Sequence, residues 1–323
     1  MGRLRSVDVC SGAGGLALGL ERAGFDPVLL LDKKFVACET LRYNRPTWNV
    51  LEMDLEVFDP VEHQESYDVD LLSAGLPRVT SSATANRVET GNELRLLEAT
   101  VLLAHAVRPR ALLIENVPGL VDGPEFAEVR DFIRKELEHL GYRFHWFVLN
   151  AADFGVPQDR KQGVLVAMKD RFFDAFSQPT PTVSHHITAG EALHVSMSQR
   201  GWTGADAWAA QADHVAPTLV GGSDNRGGAD LGPTGTKRAW ARMGINGGAL
   251  SDEVPGPNGI QESDTSGSSL KKLTVPQTAI LQSFPDDWTF AGGKTKQYRQ
   301  IGHASPPPVG EALGRAIAAA LDA

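Results

Sequence analysis

Cysteine is scarce in this sequence. Cys10 and Cys38 are the only two, which excludes a disulfide framework or a cysteine-rich zinc cluster and fits a reducing cytoplasm. Long apolar runs are also missing. No stretch approaches the roughly 20 residues that a bilayer-spanning helix needs, so no membrane partner is expected. The charged N-terminus, with Arg3, Arg5 and Asp8, does not read as a signal peptide. Positive charge is short: 31 Lys and Arg face 40 Asp and Glu, for a net charge of −9. That excludes a strongly basic, charge-driven nucleic-acid binder and leaves room for a local basic cleft. There is no internal repeat. What remains is ordinary globular composition, 42% hydrophobic and 22% charged. The 323 residues exceed one typical domain of roughly 100–200, so a large core domain with a smaller lobe is expected.

Apolar periodicity orders the first half as alternating strands and helices. Strands are expected at 4–10, 27–32, 68–74, 111–114, 143–149 and 163–168. Helices are expected after the glycines at 12–15, at 35–43, at 94–107 and at 126–140. The last carries Phe126, Val129, Ile133, Leu137 and Leu140 on one face. This alternation implies a doubly wound, mostly parallel sheet covered on both sides, an α/β fold. Near Asp170 the pattern changes to Gly, Ser, Thr, Asp and Pro, with modest helical stretches at 189–199, 204–212 and 236–243. A turn-rich loop at 251–269 follows, and helical patterning returns at 276–283 and 309–322. The expected layout is an α/β domain over 1–170, a small inserted lobe over 171–270, and C-terminal helices over 271–323 that rejoin the first domain.

Gly12-Ala13-Gly14-Gly15 lies between a strand and a helix, where backbone N–H groups can approach a ligand closely. Asp32 ends the next strand about twenty residues on, the place of a carboxylate that accepts ribose hydroxyls in nucleoside-binding α/β folds. Asp54 is placed to meet an adenine amino group. The loop lacks the Gly-Lys-Ser/Thr ending of a phosphate-binding Walker loop, and Ala17 stands where a dinucleotide fingerprint needs its third glycine. A phosphate-free nucleoside suits it better. The bland alternative is a glycine-rich turn with two solvated aspartates.

Taken together the segments resemble the bacterial cytosine-C5 DNA methyltransferases of restriction-modification systems. Asp8-Val9-Cys10-Ser11-Gly12-Ala13-Gly14-Gly15-Leu16 is similar to that family's S-adenosylmethionine loop. Glu115-Asn116-Val117 matches its Glu-Asn-Val motif, and Phe154 through Gln158-Asp159-Arg160 matches the run into its Gln-x-Arg-x-Arg motif. Leu273-Thr274 through Leu281-Gln282-Ser283-Phe284-Pro285-Asp286-Asp287-Trp288 resembles its late helix, and Gly302-His303-Ala304-Ser305-Pro306-Pro307 its Gly-Asn-x-x-Pro-Pro segment. Five short motifs in the correct order are highly specific.

The resemblance implies the S-adenosylmethionine-dependent methyltransferase fold with a target-recognition lobe. It also implies S-adenosyl-L-methionine or S-adenosyl-L-homocysteine as ligand and double-stranded DNA as partner. Cys10, Ser11, Gly12, Ala13, Gly14, Gly15, Leu16, Asp32, Asp54, His303, Ala304 and Ser305 would then hold the cofactor. In the family a flipped cytosine is attacked at C6 by the thiolate of a Pro-Cys dipeptide, and C5 then takes the methyl group. Glu115, Asn116, Gln158 and Arg160 occupy places that organise the base.

Three places depart from the family. Arg78, in Gly75-Leu76-Pro77-Arg78, falls on the nucleophile. A guanidinium has no lone pair available for attack. Pointing inward, it would fill the pocket or pair with Glu115; pointing outward, it would contact a phosphate. Gln162 stands where the second arginine of Gln-x-Arg-x-Arg belongs, and His303 replaces an asparagine. Cys10 reads as packing against adenine and Cys38 as a small buried hydrophobe. Thr80, Ser81 and Ser82 lack an adjacent base to activate them, and are expected to cap their loop or touch DNA backbone. Asn225, Arg226, Lys237 and Arg238 are candidate DNA contacts. Five basic and five acidic residues between Thr188 and Leu250 nevertheless give DNA binding no independent support. His185, His186 and His214 read as surface residues, with no metal site.

The leading expectation is a homologue that keeps the cofactor fold without the base chemistry. Two alternatives stay open. One is an active modification enzyme with an unrecognised nucleophile. The other is a non-catalytic partner of an intact methyltransferase.

Overall fold

The computed structural model describes residues 3–79, 87–222, 228–262 and 268–323, with side chains from residue 91 onward in the second stretch. The chain forms two compact units. The first comprises residues 1–149, 161–180 and 309–323, and the second residues 150–160 and 181–308. Residues 271–308, expected to rejoin the first domain, therefore lie in the second unit, and only the final helix rejoins the first. The boundary near 170 falls at 180, because Phe172 is still buried beneath the stacked guanidinium of Arg110.

In chain order the first unit contains β1 (Leu4–Val9), α1 (Gly15–Arg22), β2 (Phe25–Asp32), α2 (Phe35–Asn44), β3 (Val50–Glu52), β4 (Leu71–Gly75), α3 (Arg87–Val107), β5 (Ala111–Asn116), α4 (Gly119–Asp122), α5 (Ala127–His139) and β6 (Tyr142–Asn150). The two-residue β7 (Gln158–Asp159) belongs to the second unit, and β8 (Lys161–Lys169) and α6 (Asp170–Phe173) return to the first. Seven strands make one sheet in the order β3-β2-β1-β4-β5-β8-β6. β1 pairs in parallel with β2 and β4, β2 with β3, and β4 with β5, whereas β8 runs antiparallel to β5.

The central strands bury apolar residues on both faces, Val7, Val9, Leu29, Leu31, Leu72, Leu112 and Ile114 on one and Leu30, Leu71, Ala111 and Leu113 on the other, as a sheet covered on both sides requires. Pro27, which has no N–H to give, sits beside a register shift between Ser6 and Val7. It also precedes the stretch of β2 that β3 pairs, so no ladder bond is lost on that side. α5 buries Val129, Ile133 and Leu137 and turns ion pairs such as Arg134–Glu138 outward. Phe126, read as the first residue of that helix, instead ends a short turn at Pro124–Phe126 and is buried there. The last helix, α12 (Pro307–Leu321), approaches α1 so closely that a Cβ on Gly310 would lie 2.9 Å from the carbonyl oxygen of Leu16.

The second unit carries α7 (Ala189–Ser198), α8 (Ala205–Gln211), β9 (Ala216–Pro217), α9 (Thr234–Arg242), α10 (Val275–Leu281) and α11 (Lys294–His303). Thr188 with Glu191 and Thr274 with Gln277 form capping boxes that start α7 and α10. The buried Trp208 indole donates to the Met243 carbonyl. β3 and α11 were not expected from the sequence.

Candidate functional site

β1 has β2 on one side and β4 on the other, so the chain reverses its direction of sheet growth there. Ligands of open α/β sheets bind at the carboxyl ends of strands flanking such a reversal. The loops after β1 and β4 emerge at that point.

After β1 the backbone turns through three left-handed residues, Cys10 (φ 54°), Gly12 (φ 53°) and Gly14 (φ 82°). A Cβ on Gly12 would meet nothing nearer than 4.0 Å, so the backbone there is open to approach. Ser11 anchors the turn: its N–H donates to the Leu31 carbonyl at 3.0 Å and its hydroxyl to the Asp8 carbonyl at 2.8 Å. Asp32, at the end of β2, accepts the Gly12 N–H and the Lys34 N–H, each at 2.8 Å, one on each oxygen. It shapes the loop from behind, and each oxygen keeps a lone pair for a ligand hydroxyl. Burial raises its pKa and these two N–H groups oppose the rise. Asp54 accepts from the Lys33 ammonium at 3.2 Å and caps the turn at Glu56. Ala13, Gly15 and Leu16 are buried where the loop enters α1. Backbone N–H groups, two carboxylates and no phosphate-binding lysine in the loop suit an uncharged nucleoside moiety.

Asp8 was not foreseen as a site residue. Its carboxyl, 1% exposed, accepts the Ser73 hydroxyl from β4 at 2.7 Å through Oδ1, while Oδ2 has no partner. Desolvation pushes its pKa up to about 7, with the Ser73 hydroxyl opposing and the charge of Asp32 adding to the rise. The signal was a lone carboxylate inside an apolar strand, Val7-Asp8-Val9.

After β4 the chain runs Leu76-Pro77-Arg78-Val79. The buried Asn116 amide holds both sides of Arg78. Its Nδ2 donates to the Pro77 carbonyl at 3.1 Å, and its Oδ1 accepts the Val79 N–H at 3.0 Å and the Val117 N–H at 2.9 Å. Arg78 is half-buried and interacts with Glu115, which is 4% exposed. Burial lowers the guanidinium pKa and the Glu115 charge works against that. Of the orientations open from sequence, its burial and its response to the Glu115 charge favour the inward one. On β8, Gln162 is fully buried, one residue beyond the Asn116–Gly163 register pair, and so lies beside the end of β5.

Neither thiol is poised for attack. Burial raises the pKa of Cys10 far above the usual thiol value, reinforced by the charges of Asp32, Asp8 and Asp54. Cys38 donates to the Asp32 carbonyl at 3.3 Å and is pushed up to about 11 by burial.

The other site residues lie in the second unit. Arg160 is fully buried and donates to the carbonyls of Leu219 (2.9 Å), Gly302 (3.0 Å), Ala304 (2.9 Å) and His303 (3.5 Å). Gln158 donates to the Leu281 carbonyl and to Gln282, and accepts the Leu219 N–H at 2.8 Å. Both were expected beside the base. Here they clamp the segment from Gly302 to Ala304 against Leu219, with Gln282 also donating to Ala304. The crossing is close: a Cβ on Gly302 would lie 2.3 Å from the Gly221 nitrogen. A His303 ring nitrogen contacts the Gly222 carbonyl at 2.9 Å, and Ser305 is buried. Lys237 on α9 pairs with Asp230 at 3.2 Å, and Arg238 is exposed. Thr80, Ser81, Ser82, Asn225 and Arg226 lie outside the described residues. His186 pairs with Asp153 and His214 with Asp213.

The sheet order and the loop after β1 define an S-adenosylmethionine-dependent methyltransferase fold. The family model for C-5 cytosine-specific DNA methylase matches residues 4–319, and the chain belongs to that family, in its restriction-modification branch. It is 43% identical to the type II methyltransferase M.NaeI of Lentzea aerocolonigenes, covering all of this chain and 76% of that protein. It is 41% identical to M.NgoMIV of Neisseria gonorrhoeae, covering 98% of this chain and 97% of that protein. Among solved structures, a putative DNA modification methyltransferase encoded within an Escherichia coli prophage superposes with a TM-score of 0.69 at 18% identity, covering 99% of this chain and all of that one. The Dnmt2 methyltransferase of S. pombe gives 0.63 at 16% identity over 99% of each. The family's cofactor is S-adenosylmethionine, which supplies a methyl group on a sulfonium. The open backbone at Gly12, with Asp32 and Asp54 beside it, fits that ligand.

Proposed function

We propose that this chain holds S-adenosylmethionine and engages double-stranded DNA without methylating cytosine. The observation that carries the reading is the seat of the nucleophile. Asn116 fixes the peptides on both sides of residue 78, so the geometry that would present a thiolate is intact, but it presents a guanidinium beside Glu115. An arginine cannot add to C6, and without that adduct C5 is too electron-poor to accept a methyl group. The carboxylate that would hold the base edge faces an internal cation instead.

Rescue by another sulfur is opposed by both cysteines. The thiolate is the nucleophile, and each thiol is held protonated by burial among carboxylates or backbone carbonyls. Gln162 compounds the loss, since a buried neutral amide replaces a cation at the strand end next to Glu115. DNA engagement rests on family membership. Incubation of the purified chain and S-adenosylmethionine with 5-fluorocytosine-containing duplex DNA tests the reading. No band that survives denaturation is expected. A covalent protein–DNA adduct would contradict it and favour an unrecognised nucleophile.

A further inference from the structure

The buried carboxyl of Asp8 takes no part in the chemistry described above. It sits at the end of β1, two residues before the first left-handed residue of the cofactor loop, between two neighbouring strands. Ser73 from β4 bonds one of its oxygens, and the other, fully enclosed, has no partner. Asp32 from β2 faces it with a second carboxylate, held by the Gly12 and Lys34 N–H groups. Asp32 and Asp8 also act together on Cys10, with Asp54 adding to them and Lys33 opposing. The loop is therefore backed by two acidic groups with little solvent between them, and one still has an open acceptor. Such an arrangement is costly with nothing bound and favourable once a cation lies over it.

We propose that Asp8 is the charge-discriminating residue of the cofactor site: when ionised, its buried carboxylate favours the sulfonium of S-adenosylmethionine over the uncharged thioether of S-adenosylhomocysteine. The proposal rests on the cofactor reading and adds to it which form of the cofactor is held. The two ligands share their adenosine and amino-acid moieties, so Asp32, Asp54 and the loop amides see them alike. They differ in one methyl group and one positive charge. A buried carboxylate is the group that senses that difference. Desolvation places its ionisation near neutrality, so the preference develops as pH rises, and binding of the cation releases a proton.

Calorimetric titration with each ligand at pH 6 and pH 8 tests this. For charges about 10 Å apart at an effective dielectric near 20, the S-adenosylmethionine to S-adenosylhomocysteine affinity ratio should rise roughly tenfold over that range. In Asp8→Asn the ratio should stay at its low-pH value. Ser73→Ala keeps the carboxyl and removes the hydroxyl that stabilises its charge, so the rise should move to higher pH. This second variant decides the matter should Asp8→Asn fail to fold. A flat ratio in the unaltered chain, an equal rise in Asp8→Asn, or an unmoved rise in Ser73→Ala would each overturn the proposal alone. Failure of both ligands to bind at either pH would overturn the cofactor reading and the proposal with it.

Discussion

Two residues, seventy positions apart, carry the two proposals made for this chain. On the proposed reading a guanidinium at Arg78 stands where the family has its bond-forming sulfur, while Asn116 keeps the backbone there in place. Arg78→Cys should therefore seat a thiol correctly yet recover little. Gln162 and His303 remain, and one missing transition-state contact typically costs two to three orders of magnitude. We expect methyl transfer at no more than about a hundredth of an intact family member's rate, measured with labelled S-adenosylmethionine; robust transfer by the single variant would refute this. At Asp8 the consequence is a pH dependence of stability. Its pKa is raised from 3.8 to about 7 in the folded chain, so between those values the folded state holds the proton more tightly than the unfolded one. Stability should fall as pH rises through that window and stay lower above it, with Asp32 acting in the same direction. Urea denaturation at pH 5 and pH 8 reads the effect, and Asp8→Asn should flatten it. The substitution at Arg78 was legible from a motif. Asp8 was not singled out, because a strand carboxylate does not reveal its burial until the neighbouring strands are in place.

Elements with strong apolar periodicity were legible to within a few residues. β1, β2, β5 and α5 are where the pattern puts them. α11, Lys294–His303, was missed because its sequence is mostly polar and its buried residues are Tyr298, Gln300, Ile301 and Gly302. β3 was missed because three residues are too few to show alternation, and its pairing with Leu30–Asp32 is what makes it a strand. The largest revision concerns Gln158 and Arg160. The sequence placed them beside the base, but a motif does not show which way a guanidinium points. In the fold Arg160 joins the segment from Gly302 to Ala304 to Leu219. Arg160→Ala should leave these buried carbonyls unpaired and destabilise the second unit by about 3 kcal/mol or more. Arg160→Lys should recover little of it, since an ammonium lacks the planar fork. Thermal unfolding of both variants checks this. A loss below about 1 kcal/mol in Arg160→Ala would mean that the clamp is dispensable.

At the scale of the whole chain, membership of the C-5 cytosine-specific DNA methylase family spans nearly every residue, from 4 to 319. Within it, the glycine loop after β1 with Asp32 behind it, and the Asn116 bonds around residue 78, are in place. The departures from the family pattern are Arg78, Gln162 and His303. The net charge of −9 leaves DNA attraction to local cations, and Lys237 is already paired with Asp230. The direct measurement is mass spectrometry of nucleosides from unmethylated genomic duplex DNA, incubated with the purified, unaltered chain and isotopically labelled S-adenosylmethionine. The account predicts no labelled 5-methylcytosine above the protein-free control. Labelled 5-methylcytosine that depends on the chain would contradict it.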